Sequence, residues 1–576
     1  MIKKILRFIS LLDNQTKKKF LLLIILVFLG SLVEIFSFGS IMPMIDVIIN
    51  EKNSFFSNYG FIKEFIQSYD NKLELLLYLT FLISIIFVLK NIYLIFLLWF
   101  NAKTINNIRI FLCSVYLNQI LINPYSYHLK NDSSQIIRNS IGEVSIVAKH
   151  LLFPTTLIIL DILTFIGLVA LISFTNFEAS VLIFITIILF GFIYISIFKK
   201  KLSKFGKIRL DEEQNKIRTV QESLRLIKIV SIKNLVDFVV NRYVTADLKT
   251  LKSGVFNTVV LNSIRFLLEI VMVLLFLLLI FLAFINDYNI NDLLTYLIFL
   301  GVFFIRLLPS VNKFMVVLNN YNYYGKSLDN IYNDISEFEL NLTKAQKKKI
   351  LLENNFKNSI KLNDASFSFG DKKIFENINL EIKKNSITVI SGANGQGKST
   401  LINILLGLLP LNSGVYLIDG KEVDIMGYNL SYLVGYMPQE INLIDDNIAN
   451  NIALGKNKDE IDYDSIDNIS KILKFDEFLI ERLKDKDFII GENGQNLSGG
   501  QRQKIVLART LYGNPSIIIM DEPTNSLDHE NIELFYNLIS TLKENKTLII
   551  ITHDQEIKNL SNKNYHIKNG RLQTEE

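Results

Sequence analysis

Unbroken apolar runs crowd roughly the first 320 residues of the chain and give way to a mixed pattern after them. Six runs, at residues 20–48, 73–100, 150–174, 179–198, 255–285 and 293–320, are long enough to cross a bilayer, which takes about 20 apolar residues in a helix. One such run could be a buried core helix. Six in series, several above 25 residues, predict membrane spans instead. Lys and Arg set their orientation. Six basic residues precede Phe20; Lys103, Arg109, Lys130, Arg138 and Lys149 follow the second span; Lys199, Lys200 and Lys201 open the segment after the fourth. Residues 174–178 and 286–292 carry none. The alternation predicts cytoplasmic termini and two long cytoplasmic loops. The stretch DEEQNKIRTVQESLRLIKIV from Asp211 reads as a helical extension of its span.

After about Asn320 the pattern changes. A polar stretch, NLTKAQKKKILLENNFKNS, reads as a linker. Short β-branched runs then alternate with helical ones: SITVISG before GKSTLINILLGLL, PSIIIMDE before a helix, and TLIIITHD. Continuous apolar strands between helices predict a parallel α/β sheet covered on both faces. The expected organisation is a six-helix membrane domain over 1–325, a linker over 326–355 and an α/β P-loop domain over 356–576.

Composition agrees with this division. Half of the residues are hydrophobic and 20% charged, and a mean hydropathy of +0.31 is too high for a soluble chain. The single cysteine, Cys113, excludes a disulfide scaffold and a Cys-based zinc site. A net charge of +5 on 61 basic and 56 acidic residues gives no reason to expect a nucleic-acid partner. Early lysines, with no A-x-A-like site before the first run, argue against a cleaved signal peptide.

The chemistry begins at Gly392-Ala393-Asn394-Gly395-Gln396-Gly397-Lys398-Ser399, followed by Thr400, which fits G-x-x-x-x-G-K-[ST]. It follows the apolar run 387–390 and opens a helical pattern, the context this motif requires. Glycines let backbone N–H groups turn inward around phosphate, and the helix start adds its positive end. Lys398 would reach the β and γ phosphates of ATP, and the Ser399 hydroxyl would bind Mg²⁺. A second run, IIIMDE, ends a buried strand in two acids. Asp521 would hold Mg²⁺ and Glu522 would polarise the attacking water.

Leu497-Ser498-Gly499-Gly500-Gln501 then resembles the signature of the ATP-binding cassette (ABC) transporters. Other cassette motifs follow the same order. Phe369 stands where the family places an adenine-stacking aromatic, usually Tyr. Gln439 in GYMPQE matches the Q-loop glutamine, a Mg²⁺ contact. Asp528 in SLD matches the D-loop, and His553 in THD matches the switch histidine. GENG at 491–494 resembles the loop by which exporters sense their membrane domain. Pro523 and Asn525 depart from the Ala and Ser common in exporters without touching the catalytic positions. The resemblance implies a half-transporter working as a homodimer in the bacterial inner membrane. In it, Ser498, Gly499, Gly500 and Gln501 of one chain cap the ATP held by the other chain's P-loop. Short helices near residues 124–130 and 223–232 would carry force between cassette and membrane domain.

Intramembrane charge bears on the substrate. Basic groups at membrane depth cost free energy and face a cavity. Lys90, Arg265 and Arg306 lie within or at the inner ends of predicted spans. FIRLLPS followed by Asn312 in the sixth span resembles flippases for lipid-linked oligosaccharides, and RFLLE from Arg265 and the basic Lys90 match their pyrophosphate-binding positions. Lys90 replaces an Arg and loses its bidentate fork. Phe61, Ile62, Phe65, Ile66 and Tyr69 form an amphipathic helical pattern in the first outer loop, like the helix proposed to hold the polyprenyl tail in such flippases. The leading expectation is an ATP-driven flippase of a lipid-linked saccharide. An exporter of peptides or hydrophobic drugs is the alternative. A regulatory ABC protein fits less well, since Glu522 and His553 are both present.

Overall fold

The computed structural model describes residues 12–41, 44, 72–175, 177–285, 290–345, 350–351, 356–525 and 529–575. It forms two compact units. The first comprises Met1–Asn123 and Lys130–Glu339, the second Pro124–Leu129 and Leu340–Glu576.

The first unit is helical. Its main helices are α1 (Asn14–Gly39), α2 (Lys72–Ile122), α4 (Phe153–Thr175), α5 (Phe177–Arg225), α7 (Val236–Ile285) and α8 (Ile290–Ala345). Of two further short helices, α6 (Ile227–Ile232) follows α5, while α3 (Tyr125–Lys130) falls almost wholly in the second unit's segment Pro124–Leu129. Among the described residues five helices are long and apolar enough to cross a membrane. The sixth expected run lies within α8. Helices of 49 to 56 residues at about 1.5 Å per residue are more than twice the bilayer's hydrocarbon thickness of about 30 Å. They therefore carry the expected extensions beyond the membrane.

Burial follows the solvent expected of a bilayer. Leu168, Ile183, Val260, Ile264, Leu307 and Met315 interlock as a core, while Phe36, Phe81, Ile92, Phe192 and Phe266 stand largely exposed. So much outward-facing apolar surface suits lipid rather than water. Pro309 sits inside α8; it has no N–H to give to the carbonyl four residues earlier. The helix nevertheless runs on to Ala345, so the first 20 residues of the segment read as linker are helical. Leu328, Ile331 and Ile335 are buried at helical spacing, an apolar stripe that outweighs the polar character of the surrounding sequence.

A buried polar cluster ties the extensions of this unit together. Before α4 the chain makes two π-helical turns, Arg138–Glu143 and Val147–Leu152, a geometry that re-aims side chains within a helix. Glu143 accepts two hydrogen bonds from Arg209, at 3.0 and 2.9 Å, and Arg209 also donates to the Ser327 hydroxyl. Arg138 donates to the Leu210 carbonyl and to Gln214, while Asn139 and Tyr116 both donate to Asp334.

The second unit is an α/β domain with two main sheets and a two-residue parallel pairing of Ile350–Leu351 with Tyr428–Asn429. A four-stranded antiparallel sheet has the order β2-β1-β4-β5, from β1 (Ser359–Phe369), β2 (Lys372–Lys383), β4 (Ser413–Ile418) and β5 (Lys421–Glu422). A six-stranded sheet has the order β10-β9-β3-β8-β7-β6, from β3 (Ile387–Gly392), β6 (Val434–Met437), β7 (Ile517–Asp521), β8 (Thr547–Ile551), β9 (Lys563–Lys568) and β10 (Arg571–Glu575). Its strands are parallel except for the edge strand β10. Every residue of β3, β7 and β8 is buried, as two-sided burial of a parallel sheet demands. Four helices serve the site below: α9 (Lys398–Leu405), α10 (Tyr463–Ile472), α11 (Gly499–Leu511) and α12 (His529–Leu542). Gly435 of β6 lies so close to α11 that a Cβ there would fall 2.2 Å from the Thr510 carbonyl oxygen.

Candidate functional site

The C-terminal ends of three adjacent buried strands deliver the chemistry. β3 feeds the loop 392–397, β7 ends in Asp521 and Glu522, and β8 leads to His553. Gly397 is the turning point. Its φ of 99° precedes the first residue of α9, and a Cβ would fall 2.6 Å from Ile374 Cγ2, so only glycine fits. α9 is held down by Leu401, Ile402, Ile404 and Leu405, all buried. Its N-terminal N–H groups are thereby fixed toward the loop, the arrangement that binds phosphate.

The structure brings four predicted residues together. Lys398 Nζ donates to the Gly392 carbonyl and lies 3.0 Å from His553 Nε2. The same Nε2 is 3.8 Å from Glu522 Oε1. Glu522 has φ of 50° and its N–H donates to the Ile551 carbonyl. Holding a non-glycine residue in the left-handed region costs free energy and is a mark of functional positions. Asp521 lies beside it, and burial, reinforced by the neighbouring Glu522, pushes its carboxyl above the usual carboxylate range, with Lys398 opposing. A divalent cation relieves both effects, so the site suits Mg²⁺. Ser399 and Gln439 are exposed, free of packing constraints on reaching such an ion. Phe369 ends β1 half-exposed, its ring edge-on to Phe367 at 4.8 Å. Gln396 accepts from the Asn569 N–H, tying the loop to the turn after β9.

The signature forms the start of α11 and stands apart from these groups. Ser498 is the N-cap, its hydroxyl accepting from the Gln501 N–H while Gln501 Oε1 accepts from the Ser498 N–H. This reciprocal cap leaves Gly499 and Gly500 uncrowded. Among the described residues Ser498 and Gln501 share no hydrogen bond with Lys398, Glu522 or His553. Asp528, Arg306's side chain and the first-outer-loop pattern at 61–69 lie outside the described residues.

In the membrane unit Lys90 is buried, its ammonium over the rings of Phe38 and Phe87 at 4.8 and 4.1 Å. Arg265 is exposed. The sequence reading passed over Asp161 and Lys313. Asp161 is 2% exposed and accepts from Ser310 at 3.3 Å and Lys313 at 3.2 Å. The lone acid inside the apolar run LIILDILTF was the available signal.

Residues 375–525 match the family described as ABC transporter. The ATP-dependent lipid A-core flippase of Desulfotalea psychrophila is 36% identical over 208 residues, 36% of each chain. A lacticin-481/lactococcin-DR transport/processing ATP-binding protein of Lactococcus lactis is 36% identical over 210 residues, 36% of this chain and 29% of that protein. A bacterial Atm1-family ABC exporter, solved with ATP bound, superposes with a TM-score of 0.78 at 18% identity, over 97% of this chain and 95% of that one. Residues 375–525 thus form an ABC transporter cassette. One helical unit precedes this cassette, and the chain has the exporter fold. The matched stretches span about a third of the curated relatives' length.

Proposed function

We propose that this chain is an ABC half-transporter acting as an ATP-driven flippase. In this reading a homodimer moves a lipid-linked, polyprenyl-pyrophosphate saccharide from the cytoplasmic to the outer leaflet of the bacterial inner membrane. The convergence of Lys398, Glu522 and His553 at three strand ends carries the ATPase half. Loop 392–397, Lys398, Ser399 and Thr400 would cradle the phosphates, and Phe369 would stack on adenine. Ser399, Gln439 and Asp521 would hold Mg²⁺, which when bound supplies charge neutralisation at the phosphates. Glu522 would orient and polarise the attacking water, and His553 would contact the γ-phosphate.

The completing groups come from a second chain. Ser498, Gly499, Gly500, Gln501 and Asp528 would close over the nucleotide of the opposite cassette, which fits their separation from Lys398 within one chain. Closure and reopening would switch the membrane cavity from inward to outward access, with α3 and α6 as the force-bearing elements. Both termini and the cassette would be cytoplasmic.

The anionic headgroup is favoured by basic residues at membrane depth, Lys90, Arg265 and Arg306, and by flippases among the relatives. The test is ATPase activity of the purified chain in liposomes with and without a polyprenyl-pyrophosphate saccharide. Stimulation by this lipid, and not by polyprenol, is expected. Stimulation by peptides or hydrophobic drugs instead would move the reading to the other exporter class.

A further inference from the structure

A cavity of about 300 Å³ lies in the cassette between the C-terminal end of α10 and the facing sides of α11 and α12. It is separate from the phosphate loop. Leu507, Phe535 and Leu538 supply apolar walls. Lys474 and Lys504 also line it, and among the described residues no carboxylate does. Lys504 is held in place by donating to the Lys474 carbonyl at 2.8 Å. The remaining feature is Gln503, a wall residue only 4% exposed. Its Nε2 donates to the Pro523 carbonyl, while its Oε1 has no donor among the described residues. A buried carbonyl oxygen without a donor is unfavourable, and here it belongs to a residue lining a space large enough for a small ligand.

We propose that this cavity is a small-molecule regulatory site on the cassette. The complementary ligand has an apolar ring body, one N–H or O–H donor for Gln503 Oε1, and an anionic group for Lys474 and Lys504. Filling it lowers ATP turnover. Gln503 is the connection, because Pro523 directly follows Glu522. A ligand wedged between α10 and α11 also holds the helix that begins at the signature. The regulatory half rests on the ATPase reading; the binding half does not.

The experiment uses the full chain in lipid nanodiscs, with indole-3-propionate as probe and tryptamine as its cationic counterpart. Saturation-transfer NMR reads binding, with empty nanodiscs as the baseline. Wild-type protein should transfer saturation to indole-3-propionate in preference to tryptamine, and saturating probe should lower turnover about fivefold or more. Leu538→Trp, which fills the cavity, should abolish both effects. Lys474→Glu/Lys504→Glu should reverse the preference toward tryptamine while still binding a fluorescent ATP analogue. No transfer above the nanodisc baseline, or an unchanged preference in the charge-reversed variant, overturns the site. Binding with unaltered turnover overturns its regulatory role. Absence of basal hydrolysis in the wild type defeats the ATPase reading instead, and the NMR arm still decides the site.

Discussion

The ammonium of Lys398 and the Nε2 of His553 lie 3.0 Å apart across 155 residues of sequence. An ammonium can only donate. Nε2 must therefore accept, which requires a neutral imidazole carrying its proton on Nδ1. Glu522 Oε1 stands 3.8 Å from the same nitrogen. One imidazole thus links the phosphate-loop lysine to the acid proposed to activate water. A phosphate that draws Lys398 toward itself leaves Nε2 free for a new contact.

Glu522→Gln keeps the shape and removes the base. ATP should still bind, and hydrolysis should fall at least about 10²-fold. Near-normal turnover in the purified variant would take Glu522 out of the catalytic role.

Mixing wild-type chains with Lys398→Ala chains tests whether two cassettes act together. Heterodimers then hold one defective phosphate loop. Turnover should drop by more than the fraction of mutant chains; a strictly proportional loss would mean independent monomers.

Arg306→Ala and Arg265→Ala test the anionic headgroup. A charge-assisted contact contributes about 1.5–3 kcal/mol, roughly 10- to 150-fold in affinity. Flipping of a pyrophosphate-linked lipid should fall accordingly while basal ATPase persists, and Arg306→Lys should recover part. Wild-type flipping by a well-folded double variant would remove both arginines from the substrate path.

The Arg209–Glu143 pair is buried, with side chains 8% and 1% exposed. Glu143→Ala leaves a buried guanidinium without its carboxylate, at a cost of about 3–5 kcal/mol. The thermal midpoint in detergent should fall clearly. The double replacement Arg209→Met/Glu143→Leu should restore part of it, since the unpaired Arg209 guanidinium is removed as well. A single variant as stable as wild type would show the pair to be dispensable.

Asp132 supplies the pH dependence. The Ser134 N–H and then the Arg218 guanidinium hold its carboxyl down at about 2. A depressed carboxylate contributes stability that is complete above its unfolded value of about 4 and is lost as pH falls toward the folded value. The stability gap between wild type and Asp132→Asn should be constant above about pH 5 and close between about pH 4 and pH 2. A gap that is unchanged at pH 2.5 would contradict this assignment.

Much of the architecture was legible because its signals are contiguous. A phosphate loop is one run of residues between a strand and a helix, and an apolar run of bilayer length needs no partner to be recognised. Pairings across the fold were not legible. Glu143 meets Arg209 only because π turns re-aim it, and nothing in local sequence announces a π turn. Asp161 and Lys313 meet 152 residues apart. The segment after residue 326 looked like linker because its polar residues hide a narrow apolar stripe, which only packing makes evident. The unpartnered oxygen of Gln503 depends on where the neighbouring helices stop, which no motif encodes.

The missing side chain at Gly435 has a consequence for how this cassette could fail. Any substituent there meets the Thr510 carbonyl at 2.2 Å and Pro515 Cγ at 2.9 Å. A single methyl group would have to lever α11 away from the sheet. That helix carries the signature at its far end, about a dozen residues and some 18 Å away at 1.5 Å per residue. Misalignment there would fall first on the opposite chain's nucleotide pocket, which this signature is proposed to complete. A Gly435 variant would thus behave as a defect inflicted on its neighbour, rescuable by a companion whose own catalytic acid is broken.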